Sequence, residues 1–195
     1  MYDVLMVNGS PHADGITSQR LDAARQAFSP GTRITDFHAY DARPLPCLDC
    51  RACERFGECA QRDLDPFYKA LENSRFFVVG SPVYNGGFPA PLKAVIDRLQ
   101  VYYNAQARRG IRPSIPKSRK AVLLLTCGRA SMYPDGTYTP EIENMIRQFR
   151  QTLTILNGTL CFVDVCGNTD HPAHLVDILT PSLTRIRQGI AEMIR

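Results

Sequence analysis

Phe76-Phe77-Val78-Val79-Gly80-Ser81-Pro82-Val83-Tyr84-Asn85-Gly86-Gly87-Phe88-Pro89-Ala90-Pro91 leads directly into Leu92-Lys93-Ala94-Val95-Ile96-Asp97-Arg98-Leu99. The first four residues are apolar without alternation, which is the pattern of a strand covered on both faces, as in a parallel sheet. The eleven residues Ser81–Pro91 carry Gly86, Gly87 and three prolines, so neither strand nor helix continues through them. Helical spacing of apolar residues then resumes, and a helix is expected over Leu92–Tyr103. This is one strand–loop–helix unit of an α/β fold.

The same unit recurs on either side. Strand-length apolar runs stand at Val4–Val7, Ala121–Leu125 and Leu160–Val165, and a more mixed strand, nearer an edge, at Thr32–Tyr40. Helical stretches fall between them at Thr17–Phe28, Leu64–Asn73 with Asp63 as its cap, Glu141–Leu156 closed by Asn157-Gly158, and Leu175–Ile194, where Pro181 should kink or divide the helix. Five alternating β-α units predict a doubly wound parallel sheet with helices on both faces, in the flavodoxin-like order 2-1-3-4-5.

At 195 residues the chain suits a single domain over 1–195, and 44% hydrophobic residues suffice for a sizeable core. No 18-residue apolar run predicts a membrane span. The start Met1-Tyr2-Asp3-Val4 reads as a strand rather than an export signal, so the seven cysteines point to a reducing, cytoplasmic setting where thiols bind metal or do redox work. A net charge of +4 permits a phosphate-bearing ligand and is too small to imply nucleic acid. Two segments break the β-α rhythm. One is a cysteine-rich insert at 44–61. The other is a basic loop at 104–120 with Arg108, Arg109, Arg112, Lys117, Arg119, Lys120 and no acid, expected to act as a lid.

In sheets of this kind ligands bind beyond the carboxyl ends of the strands. The loop after the first strand runs Asn8-Gly9-Ser10-Pro11-His12-Ala13-Asp14-Gly15-Ile16-Thr17-Ser18. Hydroxyls at 10, 17 and 18 beside the N–H groups of a helix start make an anion nest. Without the lysine of a P-loop or the spacing of a dinucleotide site, it suits a terminal phosphate monoester; an ordinary β-to-α turn with a threonine cap has the same composition. In the loop after the third strand, Gly86 and Gly87 allow close approach of a flat ligand and Tyr84 and Phe88 offer aromatic surface. Thr126 to Ser131 follow the fourth strand. There Arg129 either offsets charge on a bound ring or is solvated, and solvation is the simpler reading.

Cys47, Cys50, Cys53 and Cys59 lie within thirteen residues, spaced C-x2-C-x2-C-x5-C. Thiolates this close in sequence suit an iron–sulfur cluster, and the first three have the spacing of ferredoxin runs. Zinc, which prefers two separated pairs, and no metal at all remain alternatives. Cys127, Cys161 and Cys166 read as core residues.

Taken together, residues 8–21, 46–65, 78–99 and 120–128 resemble the NAD(P)H-dependent FMN reductases of flavodoxin-like fold, and within them the iron–sulfur flavoproteins. The resemblance implies FMN held at its phosphate by Ser10, His12, Gly15, Ile16, Thr17 and Ser18. It implies ring contacts from Pro82, Val83, Tyr84, Asn85, Gly86, Thr126 and Gly128, several through backbone amides. It implies NAD(P)H as electron donor, a 4Fe–4S cluster on the four cysteines, and homodimers or homotetramers. The chain departs from the family pattern at His12 (usually Arg), at Ile16 (usually Asn), and in Asp63-Leu64-Asp65 where an acidic pair is usual. His12 could serve as a charge partner at lower pH. Lys93, Asp97 and Arg98 match the family's helix pattern and read as structural.

The implied function is an FMN-dependent oxidoreductase passing electrons from NAD(P)H to a small acceptor such as a quinone, a flavin or a nitro compound, with the flavin carrying the chemistry. Two alternatives share the cofactors: a dehydrogenase dedicated to one small acidic metabolite, and a flavodoxin-type electron carrier, against which a pI near 8.7 counts. A zinc-organised sensor or interaction domain is a third.

Overall fold

The computed structural model describes residues 3–110, 118–170 and 175–194. Its five strands are β1 (Asp3–Asn8), β2 (Arg33–His38), β3 (Phe76–Pro82), β4 (Arg119–Thr126) and β5 (Gly158–Cys166). They form one parallel sheet in the order β2-β1-β3-β4-β5, as the alternation of apolar runs and helices predicts.

The two faces sort the strand residues by parity, because successive side chains point to opposite sides. Leu5, Val7, Phe77, Val79, Ala121, Leu123 and Leu125 enter one core. Val4, Met6, Phe76, Val78, Val122 and Leu124 enter the other. The first core is covered by α4 (Asp65–Asn73), α5 (Ala90–Arg98), α6 (Gln100–Arg109) and α7 (Pro140–Ile155), and the second by α1 (Ile16–Gln26) and α8 (Leu175–Ile194). Two short helices, α2 (Ala39–Ala42) and α3 (Ala52–Phe56), lie in the β2–α4 connection and carry no sequence periodicity long enough to predict them.

Several expectations are corrected. The helix expected over Leu92–Tyr103 is two helices, α5 and α6, meeting at Leu99. Asp63 does not cap α4. The N-cap position is Leu64, without a side-chain cap, because the Asp63 carboxylate is taken by Arg98. Pro181 neither divides α8 nor ends it; it lies on the exposed face, where water can satisfy the carbonyl that its missing N–H leaves free. The basic loop is shorter than 104–120. Residues up to Arg109 belong to α6, and Arg119 and Lys120 open β4. Arg119 is buried and donates to the carbonyls of Ser74 and Leu71, and burial pulls its guanidinium down to about 10. Arg112 and Lys117 lie outside the described residues. Among the described residues, no helix is long and apolar enough to cross a membrane.

Phe149 of α7 is buried and packs against Phe77 of β3 with ring centroids 5.9 Å apart. Truncation there leaves a cavity that close-packed strands cannot fill. Phe149→Ala is expected to lose about 3–5 kcal/mol of stability, read as a shifted urea midpoint with an unchanged slope.

Candidate functional site

The carboxyl ends of β1, β3 and β4 bring three loops together. After β1, the Ser10 N–H donates to the Asn8 side-chain oxygen at 2.9 Å, and Ser10 Oγ accepts from the His12 N–H at 3.1 Å. Ser18 Oγ accepts from Asn8 Nδ2 at 2.9 Å and donates to the His12 carbonyl at 3.0 Å. The loop is thus folded on itself, with Ser10, Thr17 and Ser18 buried and His12 at the surface. Gly15 is the N-cap of α1, Ile16 its first residue, and Gln19 the first to donate back to Gly15. No side chain caps this end and no acid stands in the first turn. The leading N–H groups, Ile16 and Thr17 among them, are therefore open to an external anion.

After β3, Asn85 and Gly86 both have positive φ (49° and 72°), as the two central residues of a type I′ turn do. Tyr84 and Gly87 exchange backbone hydrogen bonds across it. Tyr84 stands out in solvent, whereas Phe88 turns into the core, contrary to its expected role as ligand surface. Pro82 ends β3, and the Val83 N–H donates to the Thr126 carbonyl at 2.8 Å, fixing this loop to the end of β4.

Between the β3 and β4 loops lies a cavity of about 610 Å³. It is lined by Val83, Asn85 and Gly86 on one side and Cys127, Gly128 and Arg129 on the other, with Glu141 and Asp170 at its margin. This volume lies within the range of small-molecule pockets, about 300–1,000 Å³. A Cβ on Gly128 would meet the carboxylate of Asp170, an exposed side chain that would have to swing aside. A Cβ on Gly86 would meet Glu141 at 3.0 Å. Arg129 is exposed, with its backbone carbonyl bonded to Asn168.

Sequence reasoning missed the group that ties these loops to the sheet. Arg20 on α1 is fully buried and ion-paired with Asp164 of β5 at 2.7 Å. It also donates to the Leu125 carbonyl at 2.6 Å, the Thr126 hydroxyl at 2.9 Å and Ser182 of α8 at 3.1 Å. Thr17 Oγ1 lies 3.3 Å from Thr126 Oγ1, so Arg20 links the hydroxyls of the first and third loops. Burial lowers the Arg20 pKa and the Asp164 carboxylate opposes that; the guanidinium stays charged at any physiological pH. The available signal was an acid inside the apolar run 160–165 and an arginine sharing the helix face of Thr17, Leu21 and Ala24.

The cysteine run lies over α6 and the end of α5. Arg98 is its anchor. Its guanidinium pairs with Asp63 at 2.6 Å and donates to the carbonyls of Leu45 at 3.2 Å and Gln61 at 2.7 Å. Cys53 and Cys59 are half-buried, while Cys47 and Cys50 are exposed. Among the described residues, no three His, Cys, Asp or Glu side chains are placed to hold a single metal ion. A four-iron cluster brings its own sulfides and takes one thiolate at each corner, so it asks for wider spacing. Of the remaining cysteines, Cys166 is buried, Cys127 half-buried and Cys161 exposed, so Cys161 is not the core residue expected.

Burial raises the Asp63 pKa, but the hydrogen bonds from Arg98 and from the Leu45 N–H outweigh it and hold the carboxyl below its ordinary 3.8. A depressed carboxyl contributes stability that is complete above its unfolded value and is lost as pH falls through its folded value. Asp63→Asn should therefore melt below the wild type at pH 7, and thermal scans should show the gap closing below about pH 4.

Residues 2–132 match the family model described as NADPH-dependent FMN reductase. An FMN-dependent NADH:quinone oxidoreductase of Stenotrophomonas maltophilia is 30% identical over 186 residues, 94% of this chain and 93% of that protein. An iron-sulfur flavoprotein of Methanosarcina thermophila is 39% identical over 94 residues, 47% of this chain and 49% of that protein. The chain spans about half the length of the curated iron-sulfur flavoproteins it matches. In structure, an NAD(P)H:quinone oxidoreductase from Methanothermobacter marburgensis superposes with a TM-score of 0.76 at 19% identity, covering 100% of this chain and 96% of that one.

Proposed function

The chain belongs to the NADPH-dependent FMN reductase family, and from that premise we propose that it binds FMN and moves electrons from NAD(P)H to a small acceptor such as a quinone. The observation that carries this reading is the cavity between the β3 and β4 loops, at the same sheet edge as an uncapped helix start whose hydroxyls are buried and whose first turn holds no acid. These residues fit FMN. The N–H groups of Ile16, Thr17 and Ser18 and the hydroxyls of Ser10 and Thr17 would take the phosphate, with the Ser18 hydroxyl holding the loop in shape through Asn8 and His12, Gly15 leaving the approach open and His12 at its rim. Pro82, Val83, Tyr84, Asn85 and Gly86 supply one wall for the ring, and Thr126 and Gly128 the other.

Bound FMN supplies the two-electron chemistry, taking hydride from a nicotinamide and returning electrons to an acceptor. The chain's own residues bind, orient and exclude water. The rigid Tyr84–Gly87 turn sets the height of one wall. The Val83–Thr126 hydrogen bond fixes the separation of the two walls. Arg20 holds Thr126 in place from behind. Asp170, beside Gly128, and Glu141, beside Gly86, put negative charge along the cavity lining and so shape which acceptors enter.

The four cysteines take a 4Fe–4S cluster in this reading, with Cys47, Cys50, Cys53 and Cys59 as ligands. Support comes from the donor chemistry: four thiols on one short segment that Arg98 pins to the fold. Exposed apolar groups on the insert and the ring loop, Leu48, Phe56 and Tyr84, are what a homodimer or homotetramer would cover.

Anaerobically purified protein should show a flavin spectrum with one FMN per chain, bleached by NADPH or NADH alone and restored by a quinone. Protein that stays colourless in excess FMN would overturn the reading. The backbone amides remain in Thr17→Val, so that variant should lose at least about tenfold in FMN affinity, the value of one hydrogen bond to a charged group, measured by fluorescence quenching.

A further inference from the structure

Two of the four motif sulfurs are acceptors of N–H hydrogen bonds from the helix pair beneath them. Arg98 Nη2, at the end of α5, donates to Cys59 Sγ at 3.4 Å. Asn104 Nδ2, on α6, donates to Cys53 Sγ at 3.1 Å. A neutral thiol is a weak acceptor, and neither donor is there by accident of surface packing. Arg98 is almost wholly buried; its Nη1 is committed to Asp63 and Leu45 and its Nη2 also to Gln61, whereas its Nε has no partner among the described residues. The Asn104 amide is oriented by Gln100, whose Nε2 donates to Asn104 Oδ1 at 3.4 Å one helical turn earlier. That bond occupies the oxygen of the amide and turns its NH₂ towards the sulfur.

The backbone of the insert adds a second observation. Asp49 and Arg51, on either side of Cys50, both hold positive φ (48° and 58°), a conformation that costs a non-glycine residue free energy and persists where the surroundings impose it. Local strain about a cysteine, with donors aimed at two more, marks sulfur as the group this segment is built to present.

We propose that Asn104 and Arg98 are positioning residues for the cysteine run, whose N–H groups fix the sulfurs of Cys53 and Cys59 and raise the reduction potential of the cluster bound there. The proposal rests on the cluster reading given above. Electron density on a ligating sulfur increases when a cluster is reduced. A hydrogen bond to that sulfur therefore stabilises the reduced form more than the oxidised form, and the charge of Arg98 acts in the same direction. The two donors differ in consequence. Arg98 also anchors the insert, so its loss affects retention of iron. Asn104 has no hydrogen bond to Arg98, Asp63, Leu45 or Gln61 among the described residues, so its loss leaves the insert anchored and is read in the potential.

The test is a redox titration of anaerobically purified, reconstituted protein, followed by electron paramagnetic resonance with iron and sulfide counted on the same samples. Asn104→Leu and Asn104→Asp should keep the iron and sulfide of the wild type and shift the cluster to a more negative potential. The shift should be larger for Asn104→Asp, which replaces a donor with a charge of the wrong sign. Arg98→Lys keeps the charge but cannot serve Asp63, Leu45, Gln61 and Cys59 together, and should lose iron to a chelator at least tenfold faster. Should Arg98→Lys fail to fold, the two Asn104 variants still decide the matter. A wild type that holds a cluster whose potential is unchanged in both Asn104 variants overturns this proposal and leaves the cluster reading standing. A wild type that takes up no iron on reconstitution overturns both.

Discussion

A buried guanidinium–carboxylate pair, Arg20 with Asp164, is the constraint on which the rest of the ligand edge depends. It joins α1, β4, β5 and α8 through a single side chain. Removing water from two charges is expensive, and the cost is offset only when every remaining donor and acceptor finds a partner. Here they do: Arg20 reaches two carbonyls and two hydroxyls besides its carboxylate, and Asp164 also accepts from Ser182 and Arg185. Losing Asp164 would leave the Arg20 charge stranded in the interior, whereas Asp164 without Arg20 would still have Arg185, so this pair ties the β1 loop to the β4 loop through Arg20.

The second arginine-centred structure is of a different kind. Arg98 carries no part of the sheet. It gathers an irregular segment that has little core of its own, contributing Ala52 among the buried apolar residues and Cys53 and Cys59 packed against them. Burial works to lower its pKa, and the hydrogen bond to Asp63 and its other partners more than reverse that. The insert thus depends on polar contacts where most of the chain depends on hydrophobic burial, which places it at the less stable end of the molecule.

Strand identity, sheet order and the loops of the ligand edge were legible because parallel strands buried on both faces leave unbroken apolar runs, and ligand loops leave glycine and proline between them. Much of what stayed hidden has one physical reason. Polar contacts between residues distant in sequence leave no local periodicity. Asp63 looked like a helix cap because caps are local, yet Arg98 took it. Phe88 looked like ligand surface because it stands among glycines, yet its direction was set by the core beneath. Arg119 looked like part of a basic lid, yet its position at the start of β4 buries it under α4. The α5–α6 junction at Leu99 was invisible because apolar spacing continues across it.

Helix α5 begins where the ring loop ends and finishes at the residue that grips the cysteine segment. Nine residues at 1.5 Å each make it about 13 Å long. The distance between the two ends is therefore written into the length of one helix. The cysteine segment can drift in sequence so long as its hold on Arg98 survives, whereas adding or deleting one residue in α5 would rotate the arginine by about 100° and detach one centre from the other. With the proposed flavin and cluster at those two ends, selection on electron passage would be felt as selection on helix length, at positions that touch neither.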